Sequence, residues 1–410
     1  MKTSLIYTLS LMLFGFSLFS KKPKPGPYRA TLTLNEEKGT ELPFNFDLKY
    51  EGRKCVIIIR NADERIKVDE VAIKGDSLNF KMPIFDTEFK ARFKGDTIEG
   101  LWINHYRSAK NQLKFKAVHG QTQRFLFVPG KNNPVFEGNW EVTFSPGSKD
   151  SSKAIGVFHH QEQTDYITGT FLTETGDYRY LEGMKNGNEL YLSCFDGSHA
   201  YLFIASLDEN SRLSGTFYSG AHWQEPWEAV FNRDFKLRRA DEITFLKNKN
   251  EKINFSFPDL NNQATSLSDK RFENKAVMIQ VMGSWCPNCM DESAYFSELY
   301  KQYRSQGLEI VALAFEKTND FEKSRQLLNR LKNRLKIDYP ILITLQSGKE
   351  NASAALPFLN QIAAFPTTLF LNKQHQVVKI HTGFSGPATG QEYLDYKTST
   401  ESLIKNLLKE

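Results

Sequence analysis

The run AVMIQVM (276–282) is apolar almost throughout, and it passes through GSW directly into CPNCMDESAYFSELYKQYRSQG. The second segment carries apolar residues at helical spacing and stops at Gly307. A buried strand feeding a helix is the building unit of a sheet covered by helices. The same texture continues downstream. LEIVALAFE reads as a second buried strand, and DFEKSRQLLNRLKNRLK as an amphipathic helix opened by Asp320. YPILIT, TTLFLN and VVKIHTG read as strands before a closing helix over about 393–408. The region 250–410 is therefore expected to be an α/β domain with helices on both faces of a central sheet.

Upstream, from 28 to 231, the chain reads as strand after strand. ATLTL, KCVIIIR, SLNFKMPIF, EFKARFKG and QLKFKAV form one series, and FEGNWEVTF, YITGTFLT, ELYLSCF, AYLFIASL and LSGTFYSG form another. Aromatic residues at 13% of the chain, mostly Phe and Tyr, suit pleated, half-buried faces. PGKNNP (129–134) separates the two series as a linker. GDSLNF at Gly75 matches GNELYL at Gly187, and IEGLW around Gly100 matches LSGTF around Gly215, at nearly the same spacing. A duplicated β module follows, either two lipocalin-like barrels or sandwiches. With 410 residues the chain is expected to divide into β-rich modules at 25–128 and 135–235 and the α/β domain at 250–410.

The first residues, MKTSLIYTLSLMLFGFSLFS, have a positive start at Lys2, an apolar run from Leu5 to Phe19 and a cleavage-type end at Ser20. Residues 1–20 are expected to be a signal peptide or an N-terminal membrane anchor, which places the rest of the chain on the exported side. No cysteine follows the apolar run, which excludes a lipoprotein anchor. The net charge of +5 is spread among interleaved Lys, Arg, Asp and Glu, so nucleic acid is not an expected partner.

Chemistry concentrates at Cys286 and Cys289. A cysteine at a helix N-terminus meets unsatisfied backbone N–H groups and the positive end of the helix dipole, which favour thiolate. Cys289 follows one turn later, within reach of a disulfide formed on Cys286, and Pro287 suits the first turn. Cys286 is expected to be the exposed thiol and Cys289 the buried one. A structural zinc site would need a second cysteine pair, which is absent. A redox dithiol remains. Cys55 and Cys194, each inside a strand-like run, read as buried free thiols. His159 and His160 would face opposite ways on a strand. His199 and His222 read as ordinary structural or surface residues, and Trp140, Trp223 and Trp227 as core.

At these residues the chain resembles the TlpA/ResA-like thiol–disulfide oxidoreductases of bacterial envelopes, which have the thioredoxin fold. The resemblance rests on FSFPDL…SLSD, WCPNC with Glu292 beyond it, and FPTTLFLN. It implies that Cys286 attacks and Cys289 resolves, that Pro366 is a cis-proline facing them, and that Trp285, Pro287 and Phe365 contact a bound substrate. It implies no cofactor beyond the thiols, disulfide-containing client proteins, and a membrane or periplasmic electron donor. It also opens cytochrome c-type biogenesis as a process the protein could serve. Two positions depart from the pattern. Gln280 stands where thioredoxins carry a carboxylate, and Ala294 replaces a proline. Glu292 is then the carboxylate placed to carry protons for the thiols, against the plainer reading of a solvated helix glutamate. The peroxiredoxin pattern fails, since QVMGSWC lacks its Pro and Thr. The rival function is a ligand- or partner-binding envelope protein whose β region acts and whose dithiol is secondary.

Overall fold

Strict alternation in TEFKARFK (87–94) buries Thr87, Phe89, Ala91 and Phe93 and exposes most of the residues between them. Repeated along the chain, this pattern gives the architecture of the N-terminal half. The computed structural model describes residues 22–127, 134–161, 163–248, 251 and 253–410. The N-terminal apolar segment and most of PGKNNP lie outside the described residues. Among the described residues no helix is long and apolar enough to cross a membrane.

Strands β1 to β9 are Gly26–Asn35, Thr40–Glu51, Lys54–Asn61, Glu64–Val68, Val71–Lys74, Ser77–Lys81, Thr87–Lys94, Thr97–Asn104 and Gln112–His119. They form one antiparallel sheet in the order β4-β3-β2-β1-β9-β8-β7-β6-β5. Strands β10 to β18 are Gly138–Phe144, Ser152–His160, Tyr166–Thr173, Gly176–Asp177, Leu181–Asn186, Glu189–Phe195, Ala200–Leu207, Arg212–Ser219 and Trp223–Phe231. Their order is β11-β10-β18-β17-β16-β15-β14-β12-β13, and β11 also pairs with β12. That extra pairing closes the second sheet into a barrel, which decides against a sandwich. Its interior is filled by Phe144, Phe158, Phe171, Phe203, Phe217 and Trp227.

The two sheets repeat one another. Gly75 and Gly187 sit in the corresponding β5–β6 and β14–β15 turns, both with left-handed backbone. Gly100 and Gly215 sit in the corresponding strands β8 and β17, where a Cβ would overlap the carbonyl of Lys90 or Ile204 on the neighbouring strand. Trp140 and Trp227 are core residues, as expected. Trp223 is not. It begins β18 half exposed and donates its Nε1–H to Glu225 at 3.1 Å.

The C-terminal part opens with the hairpin β19 (Ser256–Pro258) and β20 (Ala264–Ser266). It continues with β21 (Ala276–Met282), α1 (Pro287–Tyr303), β22 (Leu308–Ala314), α2 (Phe321–Leu335) and β23 (Ile341–Ile343). Helix α3 (Gly348–Ala355), β24 (Thr367–Leu371), β25 (Val377–Thr382) and α4 (Gln391–Lys409) complete it. The sheet order is β23-β22-β21-β24-β25, with β21, β22 and β23 parallel and the last two antiparallel. Every residue of β21 is buried, Gln280 included, which explains its continuous apolar run. Asp320 caps α2 by accepting from the Lys323 N–H, and Gly307 ends the first helical segment with left-handed backbone. Helix α3 was not expected, since its small residues carry no apolar stripe. The charged connection after β18 docks on this domain, where Asn360 bonds the backbone of Ile243 and Phe245.

The repeat yields a stability contrast. Gly100→Val and Gly215→Val should each cost about 1–3 kcal/mol, because a side chain has to displace neighbouring backbone. Gly75→Asn, with nothing within 4 Å of its Cβ position, should change stability by less than about 1 kcal/mol. Denaturant unfolding of the three variants checks this.

Candidate active site

Cys286 is the N-cap of α1, so its extended backbone aims Sγ back at the first turn. The sulfur accepts the Cys289 N–H at 3.2 Å and the Cys289 thiol at 2.6 Å, and donates to the Phe365 carbonyl at 3.4 Å. Both cysteines are free, as are the buried Cys55 and Cys194. The Phe365–Pro366 peptide bond is cis and lies directly across from the dithiol. Trp285 donates its indole N–H to Phe315 O at 2.9 Å, meets Phe365 edge-on, and lies under the Lys317 ammonium at 4.0 Å. The strand-to-helix turn is tied down by buried Glu316, which accepts from the Ser284 N–H and hydroxyl.

Burial, and then the adjoining Cys286 sulfur, push the Cys289 thiol well above its ordinary range. Glu292 is fully buried rather than solvated. Its carboxyl accepts from Gln280 Nε2 at 2.8 Å, Thr368 Oγ1 at 3.0 Å and the Tyr396 hydroxyl at 3.4 Å. Desolvation outweighs these bonds and raises it to about 7. Gln280 is thus a hydrogen-bond donor to Glu292, held in turn by the Ser293 hydroxyl.

Cys286 is only 7% exposed, against the expectation of an open thiol. The second barrel covers it. Ser198 Oγ donates to Trp285 O at 3.0 Å, and Asn288 Nδ2 donates to Asp177 O at 3.2 Å and Phe384 O at 3.1 Å. Arg179, 1% exposed, donates to Pro287 O at 3.3 Å. The same guanidinium pairs with Asp291 of α1, with Glu64 of β4 and with Asp196. Burial works against its charge, but the surrounding carboxylates outweigh that and hold it firmly protonated. Asp291, desolvated, rises to about 7 despite Arg179, while His199 and Arg179 hold buried Asp196 at about 2 against its own desolvation.

A cleft of about 720 Å³ remains between the barrel and the dithiol, lined by Cys286, Phe365, Thr175, His199, Tyr201 and Lys349 among others. His199, expected to be an ordinary structural residue, is therefore at the site, stacked on Tyr201 and paired with Asp196. His159 and His160 both engage Glu137. Among the described residues no group of three or more His, Cys, Asp or Glu side chains could hold a metal ion. Sequence reasoning missed Arg179, Asp177, Asp196 and Ser198. Each serves the site only through residues far along the chain.

A parallel-antiparallel five-stranded sheet with a helix-capping Cys-x-x-Cys opposite a cis-proline defines a thioredoxin-like dithiol domain. Residues 247–395 match the Redoxin family. The thiol-disulfide oxidoreductase ResA of Halalkalibacterium halodurans is 28% identical over 183 residues, 45% of this chain and 85% of that one. ResA of Bacillus subtilis is 27% identical over 142 residues, 35% of this chain and 71% of that one. A solved thiol-disulfide oxidoreductase from Bacteroides fragilis overlaps 35% of this chain and 97% of its own, at 16% identity and a TM-score of 0.28. The C-terminal part of the chain carries a Redoxin domain and is similar to the ResA thiol–disulfide oxidoreductases.

Glu292 makes stability pH-dependent. Its folded-state value of about 7 lies above the ordinary 4.5, so the folded chain binds this proton more tightly than the unfolded chain. Its favourable contribution is complete below the unfolded value and is lost as pH rises through about 7. Glu292→Gln, which cannot ionise, should therefore match the wild type near pH 4 and exceed it by up to about 3 kcal/mol near pH 8. Denaturant midpoints of both reduced proteins at the two pH values check this.

Proposed function

We propose that the protein reduces disulfides of client proteins in the bacterial cell envelope through the Cys286–Cys289 dithiol. The observation that carries this is the dithiol at the α1 N-terminus, facing Phe365–Pro366 in front and buried Glu292 behind. The Cys286 thiolate attacks one sulfur of the client disulfide, whose S–S bond breaks as the other sulfur leaves as thiolate. Glu292 takes the Cys289 proton, which suits a carboxyl poised near 7. The Cys289 thiolate then attacks Cys286 Sγ, forming the Cys286–Cys289 disulfide and releasing the second client thiolate. Two electrons pass to the client, and a thiol-bearing electron donor in the membrane or periplasm restores the dithiol. Trp285, Pro287, Phe365 and Pro366 frame the position of the client sulfur. No bound cofactor enters these steps.

One observation favours the rival reading of a ligand-binding β region. A cavity of about 1070 Å³ lies against the first sheet, lined by Tyr50, Cys55, Val71 and Phe93 among others.

The reduced full-length chain should reduce dithiodipyridine, and no thiol release with the dithiol intact would sink the oxidoreductase reading. Cys289→Ala should accumulate mixed disulfides with clients and Cys286→Ala none, and equal trapping by both would reverse the assigned roles. Glu292→Gln should slow resolution about a hundredfold while changing the first attack much less. Superimposable pH–rate profiles for wild type and variant would remove Glu292 from the proton path. For location, alkaline phosphatase fused to the C-terminus should be active, and activity of only a cytoplasmic reporter would overturn export.

A further inference from the structure

The covering of Cys286 by the second barrel has a consequence for what can reach it. Four contacts hold the barrel on the Trp285–Asn288 turn: Ser198 to Trp285, Arg179 to Pro287, and Asn288 to two Asp177 oxygens. Close backbone approach reinforces them. Gly176 lies so near Asn288 and Phe384 that a Cβ would come 2.5 Å from Asn288 Nδ2, and a Cβ on Gly383 would come 2.6 Å from the Thr175 carbonyl carbon. What remains open at the sulfur is the cleft of about 720 Å³. That is the size of a small-molecule or short-peptide site rather than a protein-sized footprint. A disulfide on a globular surface would have to displace the barrel, whereas one on a short or extended segment can enter.

The charges around the cleft are lopsided. The carboxylates that line it, and Asp196 behind His199, are already engaged: Glu174 with Arg238, Asp177 with backbone N–H groups, and Asp196 with Arg179 and His199. Lys153 on the wall is paired with Glu141. Three cations are not neutralised in this way. Arg107 follows β8, Lys317 follows β22 and Lys349 belongs to α3, and none of them makes a salt bridge among the described residues. Lys317 lies 4.0 Å over the Trp285 ring of the cleft wall, within electrostatic reach of Cys286, Arg107 and Lys349 and of the buried Glu316 that Ser284 already engages, and Arg107 is within reach of Tyr201. Like charges gathered from three separate parts of the chain repel one another, and a substrate carrying carboxylates relieves that repulsion.

We infer that the barrel and the Redoxin domain together form a substrate cleft selective for a disulfide carried on a short or extended acidic segment, whose carboxylates meet Arg107, Lys317 and Lys349. This rests on the oxidoreductase reading and gives the β region a role in it. The thiol chemistry is unchanged; the cleft decides which disulfide arrives.

The test uses reduced full-length protein and three peptides of equal length, each closed by one disulfide and flanked by Glu, Gln or Lys. Single-turnover oxidation of the dithiol is followed by fluorescence. The Glu peptide should react about tenfold faster than the Lys peptide at low ionic strength, with the Gln peptide between them and the gap closing in about 0.5 M salt. Lys349→Glu, at an exposed position, should lower the Glu-to-Lys rate ratio about three- to tenfold, as should Lys317→Ala. Insulin, whose disulfides lie in a folded protein, should react about tenfold more slowly than the Glu peptide, given the size of the cleft. A protein that reduces dithiodipyridine yet treats the three peptides alike overturns the acidic selectivity. Insulin reacting as fast as the Glu peptide overturns the restricted cleft. A protein that reduces neither dithiodipyridine nor any peptide overturns the oxidoreductase reading and the cleft with it.

Discussion

The buried guanidinium of Arg179 is the contact on which the arrangement of the whole chain depends. It is 1% exposed and touches Glu64 of the first sheet, Asp196 beside the second barrel, and Asp291 and the Pro287 carbonyl of α1. An arginine so placed loses its hydration and is tolerable only where several acceptors replace water. Those acceptors come from all three parts of the chain, so a displacement of any one leaves a buried charge short of partners. Apolar packing between the same surfaces would permit sliding; a planar cation with five directed donors does not. The cluster is therefore better understood as fixing geometry than as adding stability. Removing a single partner is the costly change, on the order of 3–5 kcal/mol for buried pairs in general.

That fixed geometry sets the conditions behind the dithiol. Cys289 and Glu292 are both fully buried, one on the active-site turn and the other a helical turn further. In the same low-polarity space, each would resist ionising while the other is charged. On the proposed proton path, passing the proton from the reluctant thiol to a carboxyl near 7 moves one buried negative charge between the two groups and never requires both to be charged at once. Gln280 contributes here without titrating. Its amide N–H points at Glu292 at 2.8 Å, so a position where a second carboxylate would compete for the proton instead orients the one that remains.

Local features of the site could be read from the sequence because their causes are local. The all-buried β21, the Asp320 cap, the left-handed Gly307 and the strand-to-helix passage at Cys286 each follow from a few adjoining residues. The paired glycines Gly100 and Gly215 betrayed the repeat because both sheets press backbone against the same spot. What was not legible depends on distant partners. In GDYRYLEG nothing separates Arg179 from a solvated strand arginine, and its partner Asp291 lies on another domain. No ligand-like spacing surrounds His199, so the sequence reads it as ordinary, yet it pairs with Asp196 at the cleft. The burial of Cys286 is hidden in the sequence for the same reason. A helix N-terminus predicts what the backbone does to a thiol, but not which other domain stands in front of it. Trp223 failed in the opposite direction, since membership of a strand does not say which face its first residue takes.

The β region and the thiol site therefore cannot be assigned separate functions by their positions in the chain. Residues that hold the barrel against the C-terminal domain are also residues that shape the active-site turn: Asp177 receives Asn288 and the Gly386 N–H, and Asp196 holds His199 and Arg179. A separate binding module appended to a redox domain would leave the Cys-x-x-Cys turn free and meet it through an exchangeable surface. Here the middle residues of CPNC are both engaged by the barrel, and the first sheet joins through Glu64. The charge pattern fits the same logic. Acids are drawn inward to neutralise Arg179, while Lys349 on the cleft wall, Lys317 over Trp285 and nearby Arg107 make no salt bridge among the described residues. Burying the acids to orient the domains is what leaves the approach to Cys286 positive, so one constraint sets both the geometry of the thiols and the field through which a substrate must pass.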